Sequence, residues 1–294
     1  MKVLSLFDGI SCGMVALERA GIKVDKYTAY EIEENAIKVS KYNYPQIEHK
    51  GDVFNAEYKE GEYDLLIGGS PCTHWSIARR GNSRETEPTG VGFDLFMQFV
   101  RALEEVKPKY FLYENNKSMS DAIKDEITKR LGVEPIMIDS ADFSAQSRQR
   151  YYWTNIPVKL DYEKSALVFR DIEYAHDYTI GDFSKYIDTM KYSKDGLNVR
   201  WDTGGKGHYS QHSRARSKDV KMTTLTVGAV SSKIYLGDCK YRLLHPIEAE
   251  RLQTLPDNYT SCIPAKTKRI GLCGNGWTVD VIAFLLRGIK QEAV

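Results

Sequence analysis

A cysteine that could act as a nucleophile follows a turn rich in glycine and proline. The segment Gly68-Gly69-Ser70-Pro71-Cys72 comes directly after the apolar run Leu65–Ile67. This puts Cys72 at the rigid end of a predicted strand. A free thiol has a pKa of about 8.5, so attack requires positive charge or helix N–H groups nearby. The alternative is a buried structural cysteine, the commonest fate of a free thiol. We expect that fate for the remaining cysteines, Cys12, Cys239, Cys262 and Cys273.

Ionisable side chains that could act beside this thiol follow later in the chain. Glu114 comes directly after the strand-like run Tyr110–Tyr113, so its carboxyl group should lie beside Cys72 at the same sheet edge. Arg148 and Arg150 alternate in sequence, and on an extended chain alternate side chains project to one face. A surface salt bridge is the alternative for the two arginines, and it is favoured if the segment is taken alone.

A glycine turn and two acids indicate a cofactor that contains a nucleoside. The segment 7–13, Phe-Asp-Gly-Ile-Ser-Cys-Gly, joins a predicted strand to a predicted helix, so backbone N–H groups are free to hold a ligand. Glu31 ends the second strand and could accept hydrogen bonds from ribose hydroxyls. Asp52 stands where the next strand should end. Ordinary turns and helix caps explain each feature alone, and the combination shifts the balance toward a nucleoside.

Strand-like and helical segments alternate through the first half of the chain. Such alternation is typical of an α/β fold with a doubly wound, mostly parallel sheet, in which ligands collect at the carboxyl ends of the strands. The predicted strands are 3–7, 27–32, 63–68, 110–113 and 133–138, and the predicted helices are 14–20, 35–44 and 93–106. Helical patterns return only at 246–253 and 279–289.

The charge distribution is uneven although the formal net charge is only +1. A near-neutral total argues mildly against a nucleic-acid partner. Residues 31–64, however, hold nine acids and four lysines, a net charge of −5. Residues 191–221 hold eight Lys or Arg and three Asp, a net charge of +5, with Trp201 and two histidines interleaved. A solvated basic face is the plainer interpretation of the second region.

Composition excludes several other classes of protein. Hydrophobic residues make up 42% of the 294 residues, which excludes global disorder. Five cysteines without a C-x-x-C pair favour a reduced compartment over a disulfide scaffold or a zinc finger. The first apolar run is too short for a signal peptide, and no apolar run approaches the ~20 residues of a membrane span. We therefore expect a soluble intracellular protein without a metal site.

The order of the motifs resembles that of the DNA (cytosine-5)-methyltransferases. Phe-x-Gly, Pro-Cys, Glu-Asn and Gln-x-Arg-x-Arg are followed by a variable region. The motifs that come after it are Arg-x-Leu-x-Pro-x-Glu-x-x-Arg-Leu-Gln at 242–253 and Gly-Asn-Gly-Trp-x-Val at 274–279. Six motifs in this order span nearly the whole chain. Motif details are most similar to the animal de novo branch, whereas the compact size is more typical of a bacterial or phage enzyme.

The resemblance implies a catalytic role for each matched side chain. Cys72 corresponds to the nucleophile that attacks cytosine C6. Glu114 corresponds to the carboxyl group that engages N3 and the exocyclic amine. Arg148 corresponds to the arginine that holds the pyrimidine O2, and Arg150 to its supporting partner. The target base must then leave the duplex, at a cost of a few kcal/mol.

The resemblance also implies S-adenosyl-L-methionine as the cofactor. In the family pattern, Phe7 packs on adenine, Glu31 binds the ribose, and a C-terminal segment closes the site. The residues that match cofactor contacts are Phe7, Asp8, Gly9, Ile10, Glu31, Ile32, Asp52, Val53, Pro71, Asn275 and Trp277.

Domain roles and partners follow from the same resemblance. It implies a class I methyltransferase (Rossmann-like) domain at 1–158 plus 265–294, and a target-recognition region with a returning segment at 159–264. Double-stranded DNA is the expected partner, bound by a monomer in the cytoplasm of a bacterial or phage-infected cell. A cognate restriction endonuclease is a further candidate partner. A cationic loop at 79–92 is expected to close over the substrate. The residues expected to contact DNA are Arg79, Arg80, Arg84, Lys206, Arg214, Arg216 and Lys218.

Three alternatives stay open on the sequence. An RNA (tRNA) cytosine-5 methyltransferase shares these motifs. A catalytically silent S-adenosylmethionine-binding regulatory partner of an active enzyme is the alternative from another class, and the joint presence of Cys72, Glu114 and Arg148 argues against it. A cysteine hydrolase lacks a histidine at a recognisable partner position, since His74 is too close in sequence to Cys72.

Overall fold

The computed structural model describes residues 1–71, 74–76, 84–194, 197–202, 214–225 and 232–291. The chain divides into two compact units. The first unit comprises Met1–Asp139, Gln149–Tyr162 and Val279–Val294, and the second comprises Ser140–Arg148 and Glu163–Thr278. The sequence predicts a methyltransferase domain at 1–158 plus 265–294 and a target-recognition region at 159–264. This assignment of roles stays a prediction.

The strands and helices are numbered in chain order. The strands are β1 (Lys2–Leu6), β2 (Lys26–Tyr30), β3 (Glu48–His49), β4 (Leu65–Gly68), β5 (Tyr110–Asn116), β6 (Ile136–Asp139), β7 (Gln146–Ser147), β8 (Gln149–Thr154), β9 (Gly181–Asp182), β10 (Lys191–Tyr192), β11 (Asn198–Arg200), β12 (Arg214–Arg216), β13 (Met222–Thr223), β14 (Lys233–Gly237) and β15 (Lys240–Leu243). The helices are α1 (Cys12–Arg19), α2 (Glu34–Asn43), α3 (Val91–Val106), α4 (Asp121–Leu131), α5 (Pro246–Leu252), α6 (Lys266–Asn275), α7 (Val279–Leu286) and α8 (Gly288–Gln291).

The first unit is built on a seven-stranded sheet in the order β3-β2-β1-β4-β5-β8-β6. The five strands from β3 to β5 pair in parallel, and β8 pairs antiparallel with both of its neighbours. All residues of β4 and β5 are buried, as expected for strands covered on both faces. The predicted α/β fold with a doubly wound, mostly parallel sheet is confirmed.

An aromatic cluster holds α3 against the sheet. The buried face of α3 includes Phe96 and Phe99, whose rings lie 5.2 and 4.9 Å from that of Tyr113 on β5. The Tyr113 ring lies 5.8 Å from that of Trp153 on β8. Tilted aromatic pairs of this kind add to the free energy of burial. This packing fixes the position of β5 between α3 and β8.

In its described residues, the second unit contains a six-stranded sheet in the order β10-β11-β12-β14-β15-β9 and the two-stranded pair β13-β7. A fully buried ion pair of this unit joins Arg242 to Glu248, both 0% exposed, through two hydrogen bonds of 2.7 and 2.9 Å. Lys221 donates to the backbone oxygens of Ala141, Ser144, Ser165 and Leu167 at 2.7 to 3.0 Å. These contacts tie loops together where the strands are too short to do so.

The C-terminal stretch 266–290 is long and apolar enough to cross a membrane by length and composition alone. Within its most apolar window, 72% of the residues are buried inside the protein, and α6, α7 and α8 divide the stretch. Core helices pass the same test, so this is weak evidence for a span.

We expect the stability of the second unit to fall at mildly acidic pH because of His245. Its ring accepts a hydrogen bond from the Ile247 N–H at the start of α5 and lies 4.4 Å from the ring of His176. Burial, and then repulsion from His176, lower the pKa of His245 from 6.5 to about 4. The unfolded chain therefore binds more protons below pH 6.5, and the stability present above this pH is lost as pH falls through about 4.

Replacing His245 by asparagine, which also caps helices well, should remove this pH dependence. Urea denaturation at pH 7.5 and pH 5 measures it. The free energy of unfolding of the wild type should fall more than that of the variant, by on the order of 1 kcal/mol. Equal changes in the two proteins would show that His245 does not titrate in this range.

Candidate active site

The turn after β1 is held in an unusual backbone conformation. Phe7, Gly9 and Ser11 all have φ near +58°, in the left-handed region where residues other than glycine are rare. The Asp8 carboxylate compensates by accepting hydrogen bonds from the hydroxyls of Ser5, Ser11 and Tyr27. Burial raises the pKa of Asp8, and the three hydrogen bonds oppose that rise. Asp8 thus shapes the turn in which the sequence predicts a ligand site.

Glu31, at the end of β2, closes this turn from the neighbouring strand. One carboxylate oxygen accepts the Gly9 N–H at 2.8 Å, and the other accepts those of Ile32 and Glu33, also at 2.8 Å. A carboxylate has about four acceptor positions. The three backbone donors therefore leave room for a ligand hydroxyl.

Apolar side chains at the same sheet edge suit the other part of a nucleoside. Ile32 is 71% exposed and Phe54 is 50% exposed, although both are large and hydrophobic. Phe7 is partly buried and packs against the core of the first unit. Ile32 directly follows Glu31, and exposed apolar surface next to a carboxylate with an acceptor position left fits a planar base joined to a sugar.

The other predicted cofactor residues of the first unit have different surroundings. Asp52 is half-buried, and its carboxylate caps a short helix at Val53–Asn55 by accepting the Phe54 N–H at 3.0 Å. Val53 and Ile10 are buried, and Pro71 is exposed. Asn275 is exposed and Trp277 half-buried, and both belong to the second unit.

The strand end that leads to Cys72 is anchored by two residues of β5. The hydroxyls of Ser70 and Tyr113 lie 2.7 Å apart, and the Asn115 amide donates to the Ser70 carbonyl oxygen at 3.1 Å. The same amide lies 3.1 Å from the Tyr113 hydroxyl. All three residues are buried, and this raises the free-energy cost of leaving any of these polar groups without a hydrogen bond. Cys72 itself lies outside the described residues.

The opposite face of β5 carries a buried ion pair. Arg150 Nε lies 2.9 Å from Glu114 Oε1, and each side chain is only 10% exposed. The pairing register sets Asn116 of β5 opposite Arg150 of β8, so Glu114 is its diagonal neighbour on the same face. The structure thus brings together two of the four predicted catalytic residues within the first unit.

Arg148 belongs to the second unit and has other partners. Its guanidinium donates to the backbone oxygens of Gly274 and Gly276 at 3.2 and 3.1 Å. It is also within 3.5 Å of the Leu225 carbonyl oxygen. The side chain is buried and holds the segment that carries Asn275 and Trp277.

The described part of the predicted cationic loop is tied to its surroundings. Arg84 donates from Nε to the Trp75 carbonyl oxygen at 3.1 Å and from its guanidinium to the Ser118 carbonyl oxygen. A Cβ on Gly92 would lie within 2.8 Å of Glu85, Trp75 and His74. The absence of a side chain at Gly92 therefore allows these residues to pack closely, and this explains the glycine without a hinge. Arg79 and Arg80 lie outside the described residues.

The remaining predicted DNA contacts belong to the second unit. Arg214 is exposed on β12. Arg216 donates to the Lys221 carbonyl oxygen at 2.6 Å, and Lys218 lies 3.5 Å from Glu173. Lys206 lies outside the described residues. Within the described residues, no group of three or more His, Cys, Asp or Glu is arranged to hold a metal ion.

Tyr113, Ser70 and Asn115 are the residues that sequence reasoning did not assign to the site. Tyr113 and Asn115 alternate with Glu114, so the two-residue period of a strand places them on the opposite face. The sequence shows this two-residue period, but it does not show that Ser70 is the partner, because Ser70 follows a different strand, β4.

Two methyltransferases have sequences similar to that of this chain. The orphan methyltransferase M.SPRI of Bacillus phage SPR is 32% identical over 168 residues, which cover 52% of this chain and 37% of the phage protein. The chain therefore covers well under two thirds of that relative. The type II methyltransferase M.FnuDI of Fusobacterium nucleatum is 24% identical over 341 residues, covering 99% of this chain and 94% of that protein.

A solved structure shares the fold over the full length. The Entamoeba histolytica methyltransferase EhMeth superposes with a TM-score of 0.73 at 16% identity, covering 100% of this chain and 99% of that chain. At this identity the similarity shows the fold. The family model for the C-5 cytosine-specific DNA methylases, however, matches residues 1–291. Since that match covers nearly the whole sequence, the chain belongs to the C-5 cytosine-specific DNA methylase family.

Proposed function

We propose that the protein transfers a methyl group from S-adenosyl-L-methionine to C5 of a cytosine in double-stranded DNA. Membership of the family supports methylation at cytosine C5. The finer proposal includes a specific duplex sequence, a base that leaves the helix, and a covalent bond between Cys72 and C6. We propose that the enzyme acts as a monomer in a bacterial or phage-infected cell, with or without a cognate restriction endonuclease.

The observation that carries the proposal is the buried pair of Glu114 and Arg150 at the end of β5. Burying two charges removes their hydration, and such a pair is often no more stabilising than apolar residues would be. Its location is therefore better explained by chemistry than by stability. Glu114 offers a carboxyl group to ring N3 and the exocyclic amine, and Arg150 offers several donors to a carbonyl oxygen.

Each side chain then has a distinct part in the proposed reaction. The Cys72 thiolate attacks C6, forming a C–S bond and moving the C5–C6 electron pair toward C5. Glu114 stabilises the enamine by hydrogen bonding or proton transfer at N3. After C5 has been methylated, loss of the C5 proton and departure of Cys72 restore the ring and release the thiolate.

The contacts favour Arg150 rather than Arg148 for the pyrimidine O2. Arg150 is the partner of Glu114, so a base engaged by Glu114 lies within reach of its guanidinium. The guanidinium of Arg148 donates to the backbone oxygens of Gly274 and Gly276, whereas that of Arg150 donates to one backbone oxygen, that of its neighbour Gln149. We therefore propose that Arg150 contacts the base and that Arg148 positions the 274–277 segment.

The residues that would hold the cofactor are Phe7 and Glu31, with the turn at Gly9 around the methionine part. S-adenosyl-L-methionine, when bound, supplies an electrophilic methyl group. Glu31 has one acceptor position left for a ribose hydroxyl, and Phe7 is a partly buried aromatic residue in the adjoining turn. Asp8 shapes the turn, because its carboxylate accepts hydrogen bonds from the hydroxyls of Ser5, Ser11 and Tyr27.

Transfer of tritiated methyl groups to DNA of mixed sequence tests the proposal. We expect incorporation into duplex DNA and, after hydrolysis, 5-methylcytosine as the labelled base. Incorporation into tRNA but not into duplex DNA would instead identify an RNA cytosine-5 methyltransferase. Cofactor binding without transfer to either substrate would identify the silent regulatory protein.

Replacing Tyr113 by phenylalanine should lower kcat several-fold while leaving the cofactor KM unchanged. The substitution removes the buried hydroxyl that bonds to Ser70 and accepts from the Asn115 amide, at about 1 kcal/mol for each hydrogen bond, and loosens the strand end before Cys72. Steady-state kinetics with varied cofactor separate the two constants. Tyr58→Phe is the matched control, because the buried Tyr58 hydroxyl has no hydrogen-bond partner among the described residues. Equal kcat in both variants would show that Tyr113 does not position the nucleophile.

A further inference from the structure

A row of hydrogen-bonded side chains links the turn after β1 to the edge strand β3. Ser11 Oγ lies 2.5 Å from Asp8 Oδ2 and 2.6 Å from Ser40 Oγ, which belongs to α2. Ser40 Oγ in turn lies 2.9 Å from His49 Nε2 on β3. Both serines are 0% exposed. These four side chains, Asp8, Ser11, Ser40 and His49, form the turn network, which joins three elements of the first unit.

The direction of the hydrogen bonds in the turn network follows from the protons that each group carries. An ionised carboxylate only accepts, and a serine hydroxyl has one proton to donate. Since the Ser11 hydroxyl donates to Asp8, it must accept from Ser40. The Ser40 oxygen then accepts the Nε2–H of His49. The other ring nitrogen, Nδ1, is buried without a hydrogen-bond partner among the residues that the structure describes, so a proton there would be unpaired.

The surroundings of His49 favour the neutral ring that this direction requires. Burial, and then the charge of Lys41, lower the pKa of His49 from 6.5, and the Glu31 carboxylate opposes the shift. A neutral ring has a single N–H. His49 thus ends the turn network as a donor at Nε2.

The other end of the turn network lies in the turn proposed to receive the cofactor. Ser11 has a φ of 58° although it is not glycine, a conformation that costs free energy and persists only where the surroundings enforce it. Ser11 precedes α1 as its N-cap, but its side chain caps no helix N–H. Its hydroxyl bonds to Asp8 and Ser40 instead. The turn is therefore held at Ser11 by the turn network and at Gly9 by the Glu31 carboxylate.

Stability alone does not account for these polar groups. Apolar residues of the same shape could replace a hydrogen-bonded pair at little cost in stability. A buried polar network whose members are paired, by contrast, selects one arrangement of the elements that it joins. The turn network selects the arrangement of the turn beside Phe7 and Glu31, the proposed cofactor contacts.

We propose that Ser40 and His49 are positioning residues for S-adenosyl-L-methionine, acting through the turn at 7–11. Neither side chain needs to touch the cofactor. The turn network lowers the free-energy cost of ordering the turn when the cofactor binds, so its loss weakens cofactor affinity and leaves methyl transfer at saturating cofactor unchanged. The inference rests on the proposed function, since it takes S-adenosyl-L-methionine as the ligand.

Equilibrium dialysis of the full chain with tritiated S-adenosyl-L-methionine tests the proposal, and steady-state kinetics on duplex DNA give kcat. Ser40→Ala removes the middle of the turn network. His49→Leu removes its donor, whereas His49→Gln keeps an N–H near the position of Nε2. Thr128→Val is the control, because it removes a hydroxyl of α4 that accepts the Trp153 Nε1–H at 2.9 Å in the same unit. Helix α4 follows β5, which lies two strands from β1 in the sheet.

We expect the dissociation constant for the cofactor to rise about tenfold in Ser40→Ala and His49→Leu, as for the loss of one buried hydrogen bond, while kcat changes by less than about twofold. His49→Gln should bind within about twofold of the wild type, because its amide restores the donor. Thr128→Val should lose stability toward urea without losing cofactor affinity. Unchanged affinity in Ser40→Ala and His49→Leu, or an equal loss in His49→Gln and His49→Leu, would overturn the proposal.

The remaining outcomes separate this inference from a general loss of stability and from the proposed function. His49 is half-buried on an edge strand, so its two variants keep the test valid if Ser40→Ala does not fold. An equal loss of affinity in Thr128→Val would show a general effect of stability and overturn the positioning role. A wild type that methylates duplex DNA, with unchanged affinity in every variant, overturns only this inference. Cofactor binding that depends on Ser40 and His49, without methyl transfer to DNA, overturns only the proposed function.

Discussion

Replacing Cys72 by alanine is expected to abolish methyl transfer to DNA while leaving the affinity for S-adenosyl-L-methionine nearly unchanged. Without the thiolate no bond to C6 forms, and cytosine C5 is too weakly nucleophilic to accept a methyl group. Phe7 and Glu31, the proposed cofactor contacts, directly follow β1 and β2, whereas Cys72 follows β4. Radiolabel incorporation measures the activity, and equilibrium binding measures the cofactor affinity.

Cys262→Ala is the matched control, because it removes the thiol of a half-buried cysteine in the second unit. A duplex containing 5-fluorocytosine gives an independent readout. Fluorine cannot leave C5 as a proton does, so the wild type should form a covalent complex that survives denaturation, and Cys72→Ala should not. Residual transfer by Cys72→Ala above background, or a covalent complex formed without Cys72, would show that the nucleophile is another residue.

The second large effect is expected for Glu114→Gln. Glutamine keeps the shape of the side chain and can still accept a hydrogen bond from Arg150, but it cannot supply a carboxyl proton to N3. General acid catalysis contributes about 10²- to 10⁴-fold, so kcat should fall within this range while the cofactor KM changes little. Single-turnover kinetics on the duplex separate the loss in chemistry from any change in DNA binding.

Stability provides the control for this substitution. Glu114 and Arg150 are buried, so a neutral partner for Arg150 should lower the free energy of unfolding by about 1–3 kcal/mol. Glu60→Gln breaks an exposed pair with Lys107, in which both side chains are more than 60% exposed, and should change stability by less than about 1 kcal/mol. If Glu114→Gln kept full kcat and only lost stability, the pair would be structural and the proposed role of Glu114 would be wrong.

The fold of the first unit could be predicted from the sequence because its signals are local. Each of the strands β1, β2, β4 and β5 overlaps a predicted strand, and α3 begins and ends within two residues of the predicted helix. Helix α4 was not predicted, since only Ile123, Ile127 and Leu131 are buried on an otherwise charged segment. Its caps, Ser120 and Gly132, were the signal available.

The second unit shows where local reasoning ends. Its strands are two to five residues long, too short for alternation to be distinguished from a loop. They are held by contacts between residues far apart in sequence, such as Arg242 with Glu173 and Lys221 with Ala141. The near-zero net charge likewise did not show which basic side chains are available to a ligand. Arg216 and Lys218, in the basic region, have partners within the protein, and Lys233, outside that region, lines a cavity.

The sequence by itself determined the family, the fold class and the set of chemical groups, because motif order and strand–helix alternation are properties of neighbouring residues. Only the tertiary structure decided which groups meet. Adjacent strands place Arg150 beside Glu114, while Arg148, two residues earlier, binds the backbone of the second unit. In the same way, the side chains of β5 alternate between its two faces. Glu114 lies on one face, and Tyr113 and Asn115, which bond to Ser70, lie on the other. Pairing between strands joins residues across the chain, and one-dimensional spacing does not encode it.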